Sequence, residues 1–300
     1  VSMFKPVTKL SIQVNKTDRL PEMLHHAMRV AMTGRKGPVF LDIPRDLLNG
    51  QTLQTEIIQP GGYRPDHPQL PHPDATRQAI GILQQAERPL MLVGGGVTWA
   101  GASDLAVRLS EQSALPMITA YGRNDAVPNA HPHYIGPLGR AGSPEAAAAC
   151  RRADVLLVVG SRLGNFTTFY DQRYIQAGTR IIQIDIDSRD IGRTYPVALG
   201  IQADAGEALK ALLAGLSQAG VPASRPAWIK EAGGFRSQRL ARLQNEANLN
   251  TLPLKPQRVY VELRSALPPD TIIALDAGAA PAYGYDRLNF TQPRTDGEKF

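Results

Sequence analysis

Two short apolar runs do most to limit what this chain can fold into. Val155–Val159 contains only aliphatic residues, and Ile181–Ile186 is interrupted only by Gln183 and Asp185. Strands with nearly continuous apolar sequence are typical of parallel sheets whose two faces are both covered by helices. Segments with helical periodicity alternate with such runs from residue 74 to residue 220. This alternation predicts an α/β fold whose central domain is a doubly wound, Rossmann-like parallel sheet.

The elements predicted for this central domain, residues 74–220, follow one another regularly. The helices are expected at 74–86, 101–113, 143–152 and 205–217, and the strands at 89–93, 115–119, 154–159 and 180–186. Before it lies a Pro-rich linker, residues 59–73, whose composition is typical of an extended, semi-rigid segment.

The regions on either side are predicted to be incomplete α/β domains. Residues 1–58 contain one strand, at 39–43, and one helix with a single apolar face formed by Leu20, Leu24, Ala27, Met28 and Ala31. One helix and one strand bury too little apolar surface to fold alone, so we interpret this region as the C-terminal part of a longer domain. A helical connector over 221–254 includes a helix at 226–247. Helix 256–266 and strand 271–275 then open a further domain, at 255–300.

Composition excludes several classes of function. Without an apolar run of the ~20 residues that a bilayer needs, we expect no membrane partner and a cytoplasmic protein. The net charge of +6 is scattered along the chain, so we expect no nucleic-acid partner. Cys150 is the only cysteine, and we interpret it as a packed thiol in the helix at 143–152.

Polar and glycine residues follow several predicted strands, where ligands of α/β folds bind. Gly94-Gly95-Gly96 could let backbone N–H groups approach a phosphate, although Trp99 breaks the G-x-G-x-x-G fingerprint and a simple tight turn remains the alternative. Asp185 could accept hydrogen bonds from a ribose or adenine, whereas Asp187 could equally cap a turn. Arg162 could bind a diphosphate or pair with Asp185 or Asp204.

Other polar residues support no catalytic or metal site. His131 and His133 have the spacing of metal ligands, but nothing nearby in sequence supplies a third ligand, so no metal site and no catalytic residue are assigned. The small residues of Asp276–Ala280 would permit backbone contact with a phosphate, and an ordinary turn is the alternative.

A series of motifs occurs in the same order as in a known enzyme family. They are Thr8-Lys9, Gly37–Asp46, Gly94–Gly96, Tyr121–Arg123, Gly136–Gly139, Ala153–Leu163, Ile184–Asp187 and Asp276–Gly278. This order resembles thiamine-diphosphate-dependent enzymes of the acetolactate synthase type, whose relatives include glyoxylate carboligase, sulfoacetaldehyde acetyltransferase and oxalyl-CoA decarboxylase. The resemblance implies the end of a pyrimidine-binding domain, a whole central domain and the start of a diphosphate-binding domain.

The resemblance also implies an activity. Enzymes of this family decarboxylate a small 2-oxo acid to an enamine carbanion and form a C–C bond, with thiamine diphosphate as the electron sink and Mg²⁺ as its partner. The activating glutamate would precede Val1, and the Gly-Asp-Gly magnesium motif would follow Phe300. We therefore expect a fragment that is inactive alone, from a homodimeric or homotetrameric parent enzyme.

Two sets of cofactor-binding residues are implied by the same resemblance. The diphosphate turn corresponds to Ala277, Gly278, Ala279 and Ala280, although acetolactate synthases have Gln-His at the last two positions. The flavin contacts correspond to Gly94, Gly95, Gly96, Thr119, Leu138, Gly139, Gly160, Arg162, Asp185, Ile186, Asp190 and Asp204. Flavin-binding members continue after the arginine with acids and a second arginine, where this chain has Gly164, Asn165 and Phe166. The resemblance therefore allows FAD, ADP or neither.

Two other classes of function remain open. The central domain could be a stand-alone nucleotide-binding module for FAD, ADP or NAD, since its predicted sheet is similar to the NAD-binding fold of sirtuins. It could also be a structural domain that supports dimerisation. Within the enzyme family, a sulfoacetaldehyde acetyltransferase-like or oxalyl-CoA decarboxylase-like activity is equally open, because residues that shape the substrate pocket would lie mostly outside this chain.

Overall fold

The computed structural model describes residues 1–50, 67–220, 224–276 and 278–291. The chain divides into two compact units, Val1–Pro68 and Gln69–Phe300. In its described part, no helix combines the length and the apolarity that a membrane crossing requires. Most of the linker predicted at 59–73 lies outside the described residues.

The first unit contains a two-stranded parallel sheet with one longer helix. Its elements are a 3-10 helix at Ser2–Val7, β1 at Leu10–Gln13, a 3-10 turn at Thr17–Arg19, α1 at Leu20–Met32, β2 at Val39–Asp42 and α2 at Arg45–Leu48. Leu10 of β1 lies opposite Val39 of β2. Ala27 of α1 is buried, whereas Leu24 and Met28 on the same predicted face are 47% and 45% exposed.

The second unit is built around a six-stranded parallel sheet. The strands are β3 (Pro89–Val93), β4 (Met117–Thr119), β5 (Tyr134–Pro137), β6 (Val155–Val159), β7 (Arg180–Asp185) and β8 (Leu199–Gln202), in the spatial order β5-β4-β3-β6-β7-β8. The helices between them are α3 (Pro73–Gln85), α4 (Gly95–Trp99), α5 (Ser103–Gln112), α6 (Pro144–Arg152), α7 (Asn165–Thr168) and α8 (Ala205–Gln218). The predicted doubly wound α/β fold is confirmed.

Both faces of this sheet are buried, which explains the continuous apolar runs. Leu157 and Val159 of β6 pack in one core with α3, α5 and α8. Leu156 and Val158 pack in a second core on the opposite face, with α6 and Trp228. Successive strand residues point to opposite faces, so a strand between two helical layers needs an apolar residue at every position.

The described residues after α8 form three further helices, which are α9 (Pro226–Ala247), α10 (Pro256–Ala266) and α11 (Ala279–Tyr285). Arg225, just before α9, is buried and donates hydrogen bonds to the carbonyl oxygens of Leu83, Ala86 and Ser113. These carbonyls lie at the C-terminal ends of α3 and α5, where the helix dipole favours a cation. Burial nevertheless lowers the pKa of Arg225.

One predicted strand is wrong. Residues 271–275 form no strand, and Ile272 is 96% exposed. A strand needs a neighbour to accept and donate its backbone hydrogen bonds, and no strand in the described ranges pairs with this segment. In the opposite direction, the short strands β1, β5 and β8 have no counterpart among the predicted elements, and neither do the short helices α2, α4, α7 and α11.

Candidate functional site

The carboxyl ends of the parallel strands share one edge of the sheet, here called the carboxyl edge. The strand exits there are Gly94–Gly96 after β3, Ala120–Arg123 after β4, Leu138–Arg140 after β5 and Gly160–Arg162 after β6, with Ile186 and Asp187 following β7. Open α/β sheets bind ligands at this edge. The flavin-contact residues that the family resemblance implies, from Gly94 to Asp190, therefore lie along this one edge of the sheet.

The glycines after β3 allow two strand exits to touch. A Cβ at Gly94 would collide with the Gly160 carbonyl oxygen, and one at Gly96 would lie 2.6 Å from the Gly160 Cα. The N–H of Gly94 donates to Val159 and the N–H of Gly96 donates to Gly160, at 2.9 and 3.0 Å. Two of the three glycine N–H groups are therefore committed to backbone carbonyls of the neighbouring exit.

Three arginines lie three or four residues beyond the ends of β4, β5 and β6. They are Arg123, Arg140 and Arg162, and in the described part of the chain none of them forms an ion pair with a carboxylate. Arg140 and Arg162 are exposed and Arg123 is half-buried. The alternative pairing of Arg162 with Asp185 or Asp204 is not found. These guanidinium groups make this half of the carboxyl edge positively charged.

The acids at and beyond the end of β7 differ from these arginines, because each acid has a partner within the protein. Asp185 is buried and accepts a hydrogen bond from the N–H of Asp187 at 3.0 Å. Asp187 pairs with Arg189, and the buried Asp190 pairs with Arg193 at 3.2 Å. Each of these acids thus has at least one partner close to it in sequence.

Asp204 has a structural role that the sequence left open. Its carboxylate accepts hydrogen bonds from the N–H groups of Gly206 and Glu207, at 2.8 and 3.2 Å, as the N-cap of α8. Such a cap satisfies N–H groups that have no partner within the helix. Asp204 therefore starts α8.

Several other positions carried over to this edge contribute backbone rather than side chains. Leu138 is fully buried in the core. Thr119 is also buried, and its hydroxyl lies 3.2 Å from that of Tyr134. Gly139 has φ +109, and a Cβ there would collide with the Phe166 carbonyl oxygen. Ile186 is half-buried at the end of β7.

An aromatic cluster at the carboxyl edge was not predicted from the sequence. The ring of Tyr121 lies 5.3 Å from that of Phe166 and 4.6 Å from that of Tyr285. The Arg140 guanidinium lies 5.7 Å from the centre of the Phe166 ring. Tyr121 and Phe166 are 38% and 48% exposed. The positions of Tyr121 after β4 and of Phe166 in α7, which follows β6, could have indicated two members of this cluster. The third member, Tyr285, comes from a distant part of the chain.

The turn carried over for the diphosphate lies at the start of α11. Gly278 has φ +141, a conformation that favours glycine, and nothing lies within 4 Å of the position a Cβ would take. Gly278 and Ala279 are exposed. Ala277 and the side chain of Ala280 lie outside the described residues. The described backbone of this turn is open to the approach of a phosphate.

His131 and His133 lie at the opposite, amino edge of the sheet, just before β5. His131 lies 3.2 Å from a carboxylate oxygen of Glu111, and Nδ1 of His133 lies 3.0 Å from the Ser110 hydroxyl. Among the residues that the structure describes, no group of three potential ligands could hold a metal ion. Cys150 is buried, and burial raises the pKa of its thiol to about 12, as befits a packed thiol.

Together, these elements define a doubly wound α/β domain whose carboxyl edge carries three arginines. Residues 76–212 match the family model of the thiamine pyrophosphate enzyme central domain. The chain therefore belongs to the family of thiamine-diphosphate-dependent enzymes, as its motif order predicted.

Relatives with established names match beyond this domain. A probable acetolactate synthase large subunit of Methanocaldococcus jannaschii is 31% identical over 290 residues, which cover 93% of this chain and 48% of the relative. The sulfoacetaldehyde acetyltransferase of Alcaligenes xylosoxydans xylosoxydans is 32% identical, with 98% and 52% covered. The glyoxylate carboligase of Escherichia coli O157:H7 is 31% identical, with 97% and 48% covered. The chain thus spans about half the length of the curated relatives it matches.

Proposed function

We propose that this chain is part of a thiamine-diphosphate-dependent enzyme that acts on a small 2-oxo acid as a carboligase or decarboxylase. The observation that carries the proposal is the collinear match, over 93–98% of the chain, to an acetolactate synthase, an acetyltransferase and a carboligase. This match favours an enzyme over a stand-alone nucleotide-binding module or a purely structural dimerisation domain. Acetolactate, sulfoacetaldehyde and glyoxylate chemistry are the three activities to compare first.

Thiamine diphosphate would meet this chain at the turn before α11. The residues proposed to hold its diphosphate are Ala277, Gly278, Ala279 and Ala280, through their backbone. The exposed, unobstructed Gly278 supports this fit. When bound, thiamine diphosphate supplies an electron sink for the carbanion that decarboxylation leaves. Because alanines replace the polar pair of acetolactate synthases, orientation of the diphosphate by this turn would depend on backbone N–H groups, and Mg²⁺ would be held by ligands outside this chain.

A nucleotide, FAD or ADP, is proposed at the carboxyl edge. Arg162, exposed and without a carboxylate partner in the described ranges, would bind the phosphates, and Asp185 at the end of β7 would face the ribose or adenine. The backbone positions around them are supplied by Gly94, Gly95, Gly96, Thr119, Leu138, Gly139, Gly160, Ile186, Asp190 and Asp204. Of these, Leu138 and Asp204 would shape the edge from the core and from the α8 cap rather than touch the ligand.

The proposed organisation of the protein follows the family. Residues 1–58 would complete a pyrimidine-binding domain, 74–220 would be the central domain, and 255–300 would begin the diphosphate-binding domain, with 59–73 and 221–254 as connections. The enzyme would be a cytoplasmic homodimer or homotetramer, without nucleic-acid or membrane partners. The absence of a nucleic-acid partner is supported by basic residues that are scattered along the sequence rather than clustered.

The test uses the full-length protein that the gene encodes. With thiamine diphosphate and Mg²⁺ present, carbon dioxide release would be measured from pyruvate and from glyoxylate, and sulfite release would be measured from sulfoacetaldehyde with phosphate. Release that depends on thiamine diphosphate supports the proposal, and the preferred substrate names the branch. A folded protein that binds no thiamine diphosphate by calorimetry contradicts it. A flavin absorption spectrum of the same sample, with FAD and ADP titrations, decides between the two nucleotides.

A further inference from the structure

The chain makes a tight turn as it leaves β4. The N–H of Arg123 donates to the carbonyl oxygen of Ala120 at 3.0 Å, which closes a four-residue β-turn. Gly122, the third residue of the turn, has φ +72, the conformation that a type II turn requires at this position. The turn sets the direction in which Arg123 leaves the strand.

A hydroxyl group from α11 closes this turn from outside. The Tyr285 hydroxyl donates to the carbonyl oxygen of Ala120 at 3.0 Å and accepts from the N–H of Gly122 at 2.6 Å. The Asn124 side-chain amide donates to the carbonyl oxygen of Tyr285. The Tyr285 ring also packs on that of Tyr121. The turn after β4 and the end of α11 are therefore joined through side chain and backbone alike.

The next residue anchors Tyr285 in this position. Asp286 pairs with Arg239 at 2.8 Å, both side chains being 2% exposed, and with Arg242 at 2.5 Å. Removing one member of a buried ion pair leaves the other charge without compensation. The backbone at Tyr285 therefore cannot move away from the turn without disrupting a buried ion pair.

The turn places Arg123 over the backbone of Gly95 at the carboxyl edge. The Nε atom of Arg123 lies 2.6 Å from the position that a Cβ of Gly95 would occupy. In the described ranges Arg123 forms no ion pair, and the guanidinium is half-buried. A planar guanidinium that has no carboxylate partner presents a fork of donors suited to a phosphate.

We propose that Arg123 binds a phosphate group of the ligand at the carboxyl edge and that the Tyr285 hydroxyl is its positioning residue. This inference depends on the nucleotide proposed for that edge. It adds Arg123 and Tyr285, to which the family resemblance assigned no ligand contact. It also makes the end of α11, seven residues beyond Gly278 in the chain, part of the support of the nucleotide site.

The first test measures ADP and adenosine binding to the full chain by calorimetry. Arg123→Gln should weaken ADP binding about tenfold, through loss of a charge-assisted hydrogen bond, and leave adenosine binding unchanged. Arg180→Gln is the matched control, because it removes the same charge from an exposed arginine at the amino end of β7. Equal loss in both variants would overturn the inference in favour of a general charge effect.

The second test separates positioning from packing. Tyr285→Phe keeps the ring against Tyr121 but removes the hydroxyl, so ADP binding should weaken severalfold at a nearly unchanged melting temperature. Amide hydrogen exchange at residues 120–123 should rise in parallel. Tyr283→Phe, on the same helix with an exposed ring, should match the wild type in both measurements.

The outcomes distinguish this inference from the proposal it depends on. Wild-type chain that binds ADP, with Arg123→Gln binding equally well, overturns the role of Arg123 and leaves the nucleotide site standing. ADP binding and exchange that are unchanged in Tyr285→Phe overturn the positioning role. Wild-type chain that binds neither ADP nor FAD contradicts the proposed nucleotide and this inference together.

Discussion

The charged side chains in the two halves of the carboxyl edge differ in whether they have partners within the protein. Beyond β7 and β8, Asp187, Asp190 and Asp204 are satisfied by an arginine or by the N–H groups of α8. Beyond β4 and β6, Arg123 and Arg162 pair with no carboxylate in the part of the chain that the structure describes. The comparison indicates that the acids stabilise the local structure, whereas the guanidinium N–H groups of the arginines can donate hydrogen bonds to an anion.

The largest effect is expected where a charge is both paired and buried. Asp286→Asn leaves the buried Arg239 without its carboxylate and should lower the free energy of unfolding by about 3–5 kcal/mol. Urea denaturation followed by circular dichroism measures it. Asp270→Asn, an exposed acid, is the control and should change stability by less than about 0.5 kcal/mol. An equally small change for Asp286→Asn would show that this pair adds nothing.

A pair of variants would break the comparison between the two halves. Asp204→Ala removes the N-cap of α8 and should cost about 1 kcal/mol of stability. Arg162→Gln should leave stability within about 0.5 kcal/mol and weaken ADP binding about tenfold. Denaturation and calorimetry on both variants check this. The contrast between the halves is wrong if Arg162→Gln destabilises the protein and leaves ADP binding intact.

The amino edge sharpens the comparison, because its titration should affect stability and not the nucleotide site. Burial, followed by the charge of His131, lowers the pKa of His133. The folded state thus favours neutral His133, so its contribution to stability is full above the unfolded pKa of about 6.5 and is lost as pH falls toward the lower folded value. Unfolding free energy should fall from pH 7.5 to 5.5 by at most about 1.4 kcal/mol per pH unit from this group.

Two variants identify the group responsible. His133→Leu should reduce this slope, measured by urea denaturation at several pH values. His67→Gln, which changes an exposed histidine, should not. A slope that is the same in wild type and His133→Leu would assign the dependence to other groups.

The smallest effect is expected at Arg140, which stacks on an exposed ring. Its guanidinium lies 5.7 Å from the Phe166 ring centre, and an exposed cation–π contact is worth about 0.5–1 kcal/mol. Arg140→Gln should therefore lower the free energy of unfolding by at most about 1 kcal/mol, measured by urea denaturation, and should weaken ADP binding less than Arg162→Gln does. Equal losses in the two variants would mean that the charge of this half acts as a whole rather than through individual contacts.

The elements best predicted from the sequence were apolar strands and helices that begin at a proline. β3, α9 and α10 have the predicted bounds, and β6 and β7 differ by one residue. β3 and β6 are entirely buried, and proline at the first helical position marks the start of α9 and α10. β5 and β8 are four residues each and contain Gly136 and Gly200, so their patterns are weak. The segment 271–275 has the apolar pattern of a strand but no neighbour to pair with in the described ranges.

At the candidate site, the sequence identified positions better than roles. Gly94 and Gly96 were expected to approach a phosphate, and the structure uses their N–H groups on Val159 and Gly160. Asp204 was carried over as a ligand residue and caps α8. Neither the approach of two strand exits nor a cap geometry can be read from spacing alone.

What the sequence determined by itself was local: the alternation of helices and strands, the burial of the sheet on both faces, and the family through the order of its motifs. The alternation and the burial follow from periodicity and from the short range of backbone hydrogen bonding, whereas the family rests on the resemblance of its motif order. Only the tertiary structure decided which arginines of the carboxyl edge lack a carboxylate partner in the described residues, and which side chains position them. Tyr285 reaches Ala120 across 165 residues of chain. A contact over such a distance depends on how whole elements pack.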